Sequence, residues 1–215
     1  MRSMFDQQLK TLNEEMLYMG GLCKDTIQQT IEALISGDLK KAKALNNMMS
    51  QITQQERSIE NICLKLLMQQ QPVARDLRTI SSSLKMVTDM ERIGIQACEI
   101  AEIIAAGNVV RATNKINFQE LSDEVSHMVQ MAMTAYDKKD LEQADEVIKY
   151  DDVVDRLFCN IRGDLIAKLK DDTNDAECFI DMLMIDKYFE RIGDHAVNIA
   201  RWVNFSITGE IQIVE

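Results

Sequence analysis

A chain of 215 residues, 46% of them hydrophobic, can bury a sizeable core as one large domain or two of about 100 residues. A net charge of −11 opposes broad contact with nucleic acid or anionic lipid, no apolar run reaches a membrane-spanning length, and residues 1–6 lack a signal-peptide core, so a cytoplasmic location is expected. With Pro72 the only proline, eight glycines and 5% aromatics, the composition favours long helices over sheets and predicts an all-α fold.

The first helix is predicted from about Phe5 to Ile35, where Met16, Met19, Cys23, Thr26, Thr30 and Leu34 recur at three- and four-residue steps. Ser36-Gly37-Asp38 breaks it, and Asp38 can cap a second helix running from about Leu39 to Gln69. Gln70-Gln71-Pro72 is a turn, and a third helix follows from about Val73 to Ala106, stopped at Gly107-Asn108. After a polar connector, residues 111–115, Asn117 and Glu120 resemble a capping box opening a fourth helix to about Tyr136. Asp140 caps a fifth, Leu141 to Leu169, and the acidic turn at 171–175 leads into a sixth that ends near Phe205, leaving a loosely packed tail from Ser206. The five cysteines, Cys23, Cys63, Cys98, Cys159 and Cys178, are odd in number and never paired as Cys-x-x-Cys, which suits buried core thiols.

Three helices followed by three is a duplication. Glu91–Ala101 and Glu190–Ala200 share seven of eleven residues at an offset of 190 − 91 = 99, and Asp38-Leu39-x-x-Ala42 recurs as Asp140-Leu141-x-x-Ala144 at an offset of 102. Each repeat, 1–108 and 109–215, is therefore expected to be an elongated three-helix bundle, the two lying side by side about a pseudo-twofold. The repeats differ in charge. Residues 1–107 hold 12 basic and 13 acidic residues (net −1), whereas residues 108–215 hold 12 and 22 (net −10).

The surplus acid includes a ladder on the last helix: Asp186, Glu190, Asp194 and Asn198 stand four apart, nearly on one stripe. Like charges at that spacing repel, so the stripe favours a nearby cation. Asp151 and Asp155, with Asp152 beside them, repeat the spacing on the neighbouring helix. If the two helices face each other there, the carboxylates form a hard-cation site suited to Mg, Mn or Fe; otherwise they are two solvated acidic stripes. A ferritin-like di-iron centre needs a Glu-x-x-His pair, and Glu190 is followed at that spacing by Gly193. Gly94 and Gly193 recur at one position in both repeats, which suggests close backbone approach. No glycine-rich phosphate loop, nucleophile signature or direct phosphate pocket is legible. Arg75 and Arg78, beside Pro72 at a helix start, suit capping and salt bridging first, and anion or partner binding second.

These residues resemble the PhoU family, regulators associated with the high-affinity phosphate transporter of bacteria. The resemblance covers nearly the whole chain. It rests on Met19-Gly20-Gly21, on residues 71–78 (Gln-Pro-Val-Ala-Arg-Asp-Leu-Arg), and on the two Glu-Arg-Ile-Gly stretches, the second continuing into Asp194-His195-Ala196. It implies two three-helix bundles and, as in some members, multinuclear iron or zinc held by acidic pairs. Carried onto this chain, the metal ligands are Asp151, Asp155, Glu190 and Asp194. The first repeat has Met49, Thr53 and Ile95 where the second has Asp151, Asp155 and Asp194, and is expected to hold no cluster, although Glu91 remains with Glu56 and Glu99 as helpers. The implied function is a non-enzymatic, homodimeric adaptor that damps phosphate uptake through the transporter ATPase and a phosphate-sensing histidine kinase, reaching the membrane through those partners. The alternatives are a carboxylate-only dimetal enzyme, a purely structural helical scaffold, or a related subunit of a low-affinity phosphate permease.

Overall fold

The computed structural model of the chain describes residues 2–69, 72–109, 116–171 and 175–210. These form α1 (Arg2–Ser36), α2 (Leu39–Ala44), α3 (Asn46–Gln69), α4 (Ala74–Ala106), α5 (Gln119–Lys138), α6 (Leu141–Asp171) and α7 (Ala176–Thr208). Local chemistry sets many of the boundaries. Asp38 Oδ1 accepts from the backbone N–H groups of Lys40 (2.9 Å) and Lys41 (3.1 Å). Asp140 Oδ1 accepts from Gln143 N–H, and Asn117 Oδ1 from Gln119 N–H, so Asn117 closes a tighter turn than a capping box does. Gly37, Gly107 and Gly209 end helices with positive φ, a region that glycine enters without strain.

Two expectations are corrected here. The second helix is not continuous: it breaks at Leu45, whose N–H turns back to the Ala42 carbonyl and whose own carbonyl accepts from Met48 N–H and the Cys98 thiol. Two asparagines follow, poor helix formers that weaken the ladder where Leu45 plugs into the core. The last helix continues past Phe205 to Thr208, and its glycine cap lies against Arg78 instead of fraying. The connector at 111–115, residues 172–174 of the acidic turn, and Gln70, Gln71 and the final residues 211–215 lie outside the described residues.

The first bundle is α1, α3 and α4, with α2 against α1 and α4; the second is α5, α6 and α7. Within the first, the Cys23 thiol donates to the Met90 carbonyl and the Thr30 hydroxyl to that of Ala97, both at a separation of 67 residues, so α1 and α4 run parallel. Buried Ile, Leu, Met and Ala line the helix faces in both bundles. Four of the cysteines join this core, and burial pushes the Cys23 and Cys63 thiols up to about 12 and Cys98 up to about 11. Cys159, expected to be buried, is exposed on α6: its stretch carries Arg156, Asn160 and Arg162 on the outer face.

The bundles join through α4 against α7 and, to a smaller extent, α1 against α5. Asp89 meets His195 and Asn198, Tyr188 meets Glu99, and Asn108 donates to Asp181, so positions rise along α4 as they fall along α7 and the pair is antiparallel. With the offset of 99, Asp89 corresponds to Tyr188 and Glu99 to Asn198. The two contacts therefore exchange under a pseudo-twofold.

The repeated glycines set the register inside each bundle. A Cβ at Gly94 would collide with Cδ1 of Ile52 and lie 3.1 Å from its Cγ2, whereas one at Gly193 would lie 3.3 Å from Val154 Cγ1. Ile52 and Val154 are equivalent at an offset of 102, so the same crossing recurs with a smaller side chain. Gly94→Ala is expected to destabilise by about 1–3 kcal/mol because overpacking outweighs the helix propensity gained, while Gly193→Ala stays within about 1 kcal/mol of neutral. Urea midpoints measure both. Adding Ile52→Val to Gly94→Ala should recover most of the loss, and equal effects at the two glycines would contradict this register.

Candidate metal centre and the inter-bundle seam

On the second bundle, α6 and α7 bring the four predicted ligands onto facing sides of one helix pair. Burial pushes Asp151 up to about 6, with Asp155, Asp194 and Glu190 adding repulsion and Arg201 opposing it. Asp194, although its side chain reaches the surface, is likewise raised, by partial desolvation first, then by Glu190 and Asp155, against Lys187 and His195. A Cβ at Gly193 would stand 3.9 Å from Asp151 Oδ1, in ordinary contact, which places this carboxylate beside the α7 backbone at Gly193. Lys187 Nζ reaches Glu190 Oε2 at 2.5 Å, a cation already drawn to the stripe. Among the described residues no three His, Cys, Asp or Glu side chains are drawn close enough to hold a metal ion. The four carboxylates thus fit a hard cation in charge and donor chemistry, and stand further apart than ligands around one ion.

The ladder does not act as one stripe. Asp186 is completely buried, both its oxygens lack a hydrogen-bond partner, and burial together with Glu190 pushes it up to about 8 despite Arg162 and Lys187. Asp194, two turns on, is exposed, and Asn198 has left the acids to bond Asp89. Residues eight apart drift by roughly 80° around a helix, enough to carry one carboxylate into the core and another to the surface.

The first bundle shows what replaces the acids. Thr53 donates its hydroxyl to Glu91 Oε1 at 3.1 Å, at the positions that Asp155 and Glu190 occupy in the second. A hydroxyl satisfies a carboxylate as an ionised aspartate cannot. Glu56 does lie beside Glu91 and is pushed up to about 7 by burial, Glu60 and Glu91. Glu99, expected as a helper, instead faces Tyr188 across the seam.

Sequence reasoning missed the seam partners. His195 Nδ1 lies 2.8 Å from Asp89 Oδ1, the Asn198 amide donates to the same oxygen at 3.3 Å, and Arg201 donates to Asn198. The His195 and Asp89 side chains are both mostly buried, so the last helix of the second bundle is pinned to the last helix of the first one residue away from Asp194. Asp145 and Asn204 make a further, partly buried link between α6 and α7 at 2.7 Å. The available signal was the break in the repeat: Asp89 aligns with Tyr188 and His195 with Gln96, polar residues on a helix face that is otherwise apolar.

Fold and site together define a duplicated three-helix-bundle protein carrying a carboxylate cluster on its second half. A family profile for the PhoU domain matches residues 16–104 and again 118–203, and the chain belongs to the PhoU family. It is 33% identical over 211 residues to a phosphate-specific transport system accessory protein PhoU homolog of Clostridium acetobutylicum, covering 97% of this chain and 96% of that protein. A homolog of the same description from Pseudomonas aeruginosa is 32% identical over 209 residues, 95% of this chain and 86% of that one. The crystal structure of PhoU from Pseudomonas aeruginosa superposes with a TM-score of 0.89 at 32% identity, over 96% of this chain and 100% of that one. A phosphate transport system regulatory protein PhoU from Streptococcus pneumoniae shares the fold, with a TM-score of 0.89 at 24% identity over 98% and 100% of the two chains.

Proposed function

We propose that this chain is a regulatory accessory protein of a phosphate transport system, which restrains phosphate uptake and phosphate-starvation signalling when phosphate is ample. The observation that carries the reading is end-to-end similarity, 33% identity spanning 97% of this chain and 96% of a protein described in those terms. On this reading the protein is an adaptor between the transporter ATPase and the sensor kinase, works as a homodimer and has no catalytic role. No described helix is long and apolar enough to cross a membrane, so the adaptor reaches the membrane's inner face through its partners.

The same reading gives Asp151, Asp155, Glu190 and Asp194 the task of holding metal, iron or zinc by family resemblance and magnesium or manganese by oxygen-donor chemistry. A bound cation would supply the positive charge that these carboxylates lack and tie α6 to α7.

Deleting the gene is expected to switch on phosphate-starvation genes in phosphate-rich medium, and reintroducing the chain to silence them again. Repression that persists in the deletion strain would overturn the regulatory reading.

A further inference from the structure

The amino-terminal half of α1 has no equivalent in the second repeat: α5 begins at Gln119, which aligns with Leu17, so residues 2–16 project beyond the pseudosymmetric part of the fold. Where this extension crosses the start of α4 and the ends of α5 and α7, it walls a cleft of about 820 Å³. That volume lies within the range of small-molecule sites, roughly 300–1,000 Å³, and exceeds what a bare tetrahedral anion fills.

The cleft is basic in an acidic protein. Lys10, Arg75, Arg78 and Lys139 line it against Asp76 and Asp137, whereas the chain as a whole carries −11. Arg78 is the telling residue. Its Nε is buried and donates to nothing among the described residues, and the side chain is held in place by the turn after α7, where a Cβ at Gly209 would lie 3.5 Å from that nitrogen. A buried, charged donor without an acceptor is costly, and the cost is removed when an anion accepts from it. Among the described residues neither Arg75 nor Arg78 makes the ion pair expected of it. The capping expected of this segment is also missing, since Val73 stands at the N-cap of α4 with no side-chain hydrogen bond. The free N–H groups of that first turn add a second donor set, on the positive end of the helix dipole. Leu9, Leu12 and Ile207 supply apolar wall beside these donors.

We propose that the cleft binds a phosphorylated organic molecule of nucleotide size, its phosphate on Arg78, Arg75 and the α4 amino terminus and its organic part on Leu9, Leu12 and Ile207. This site is separate from the carboxylate cluster and independent of the regulatory reading.

Calorimetry on the full chain at physiological salt, with AMP, ADP, adenosine and inorganic phosphate as probes, tests it. One molecule of AMP or ADP is expected to bind per chain, with adenosine silent and inorganic phosphate at least about tenfold weaker. Arg75→Gln, an exposed position whose change leaves packing intact, and Arg78→Gln should each weaken nucleotide binding by about tenfold or more, while Lys149→Gln on α6 leaves it unchanged. Absence of nucleotide binding, or binding that neither arginine variant weakens, would overturn the site. Inorganic phosphate binding as tightly as AMP would overturn the organic half of the assignment.

Discussion

Asp186→Val is expected to make the protein more stable, and by more as the pH rises. Asp186 sits in the core with neither oxygen hydrogen-bonded, at the position where the first repeat carries the fully buried Val87 (186 − 99 = 87). Its carboxyl is raised from 3.8 to about 8, so the folded state takes up a proton that the unfolded chain does not hold at neutral pH. The stability tied to that proton is fully present below about pH 4 and is lost progressively as the pH climbs to about 8, roughly 6 kcal/mol at most across the window. Valine removes the titration and its slope. At pH 7 the folded carboxyl is mostly protonated while the unfolded one is ionised, so most of that loss has already occurred and the gain should be several kcal/mol, growing by only about 1 kcal/mol more at pH 9. Urea midpoints of both proteins at pH 5, 7 and 9, with chelator present, decide it. Glu56 and Asp151 are raised in the same direction and remain in both proteins, so the difference between the curves isolates Asp186. Parallel curves would mean that Asp186 has a partner in solution.

The second large effect concerns the carboxylate cluster. Protein purified without chelator is expected to carry metal by elemental analysis, and a Glu190→Ala, Asp194→Ala double variant to lose at least about nine-tenths of it, since two of four oxygen-donor residues are gone. Removing two mutually repelling acids should at the same time stabilise the metal-free protein slightly. A double variant that keeps its metal would place the ions elsewhere. In the first bundle the Thr53–Glu91 hydrogen bond stands where the second would have facing carboxylates, so converting Met49, Thr53 and Ile95 to aspartate should create a second site. Metal content that does not rise in the triple variant would show that the carboxylates alone are insufficient.

What could be read from the sequence was whatever neighbours along the chain decide. The Asp38 and Asp140 caps and the Gly107 stop came from residues within a few positions of one another, and the structure places each as expected. The break at Leu45 was not legible, because its carbonyl is engaged by Cys98 from another helix. Nor was the burial of Asp186: helical spacing puts it on a stripe with Glu190, but which part of a drifting stripe faces the core depends on how α6 crosses α7. Asp89 looked like any surface acid until α7 lay beside it. The cleft around Arg78 needed four helix ends assembled, and only the two arginines hinted at it.

The seam between α4 and α7 has a consequence for how the halves have diverged. Residues 107–118 tether the two bundles, so each finds its partner at an effective concentration in the millimolar range, whatever the amount of protein in the cell. Two separate copies of a half-length chain would have to keep one surface able to pair with itself, and every substitution would appear on both sides. Tethering lifts that constraint. Asp89 can answer His195 while Tyr188 answers Glu99, and one half can exchange acids for Met49, Thr53 and Ile95 without the other following. The covalent link thus turns what would be a symmetric pair into a molecule with two different faces.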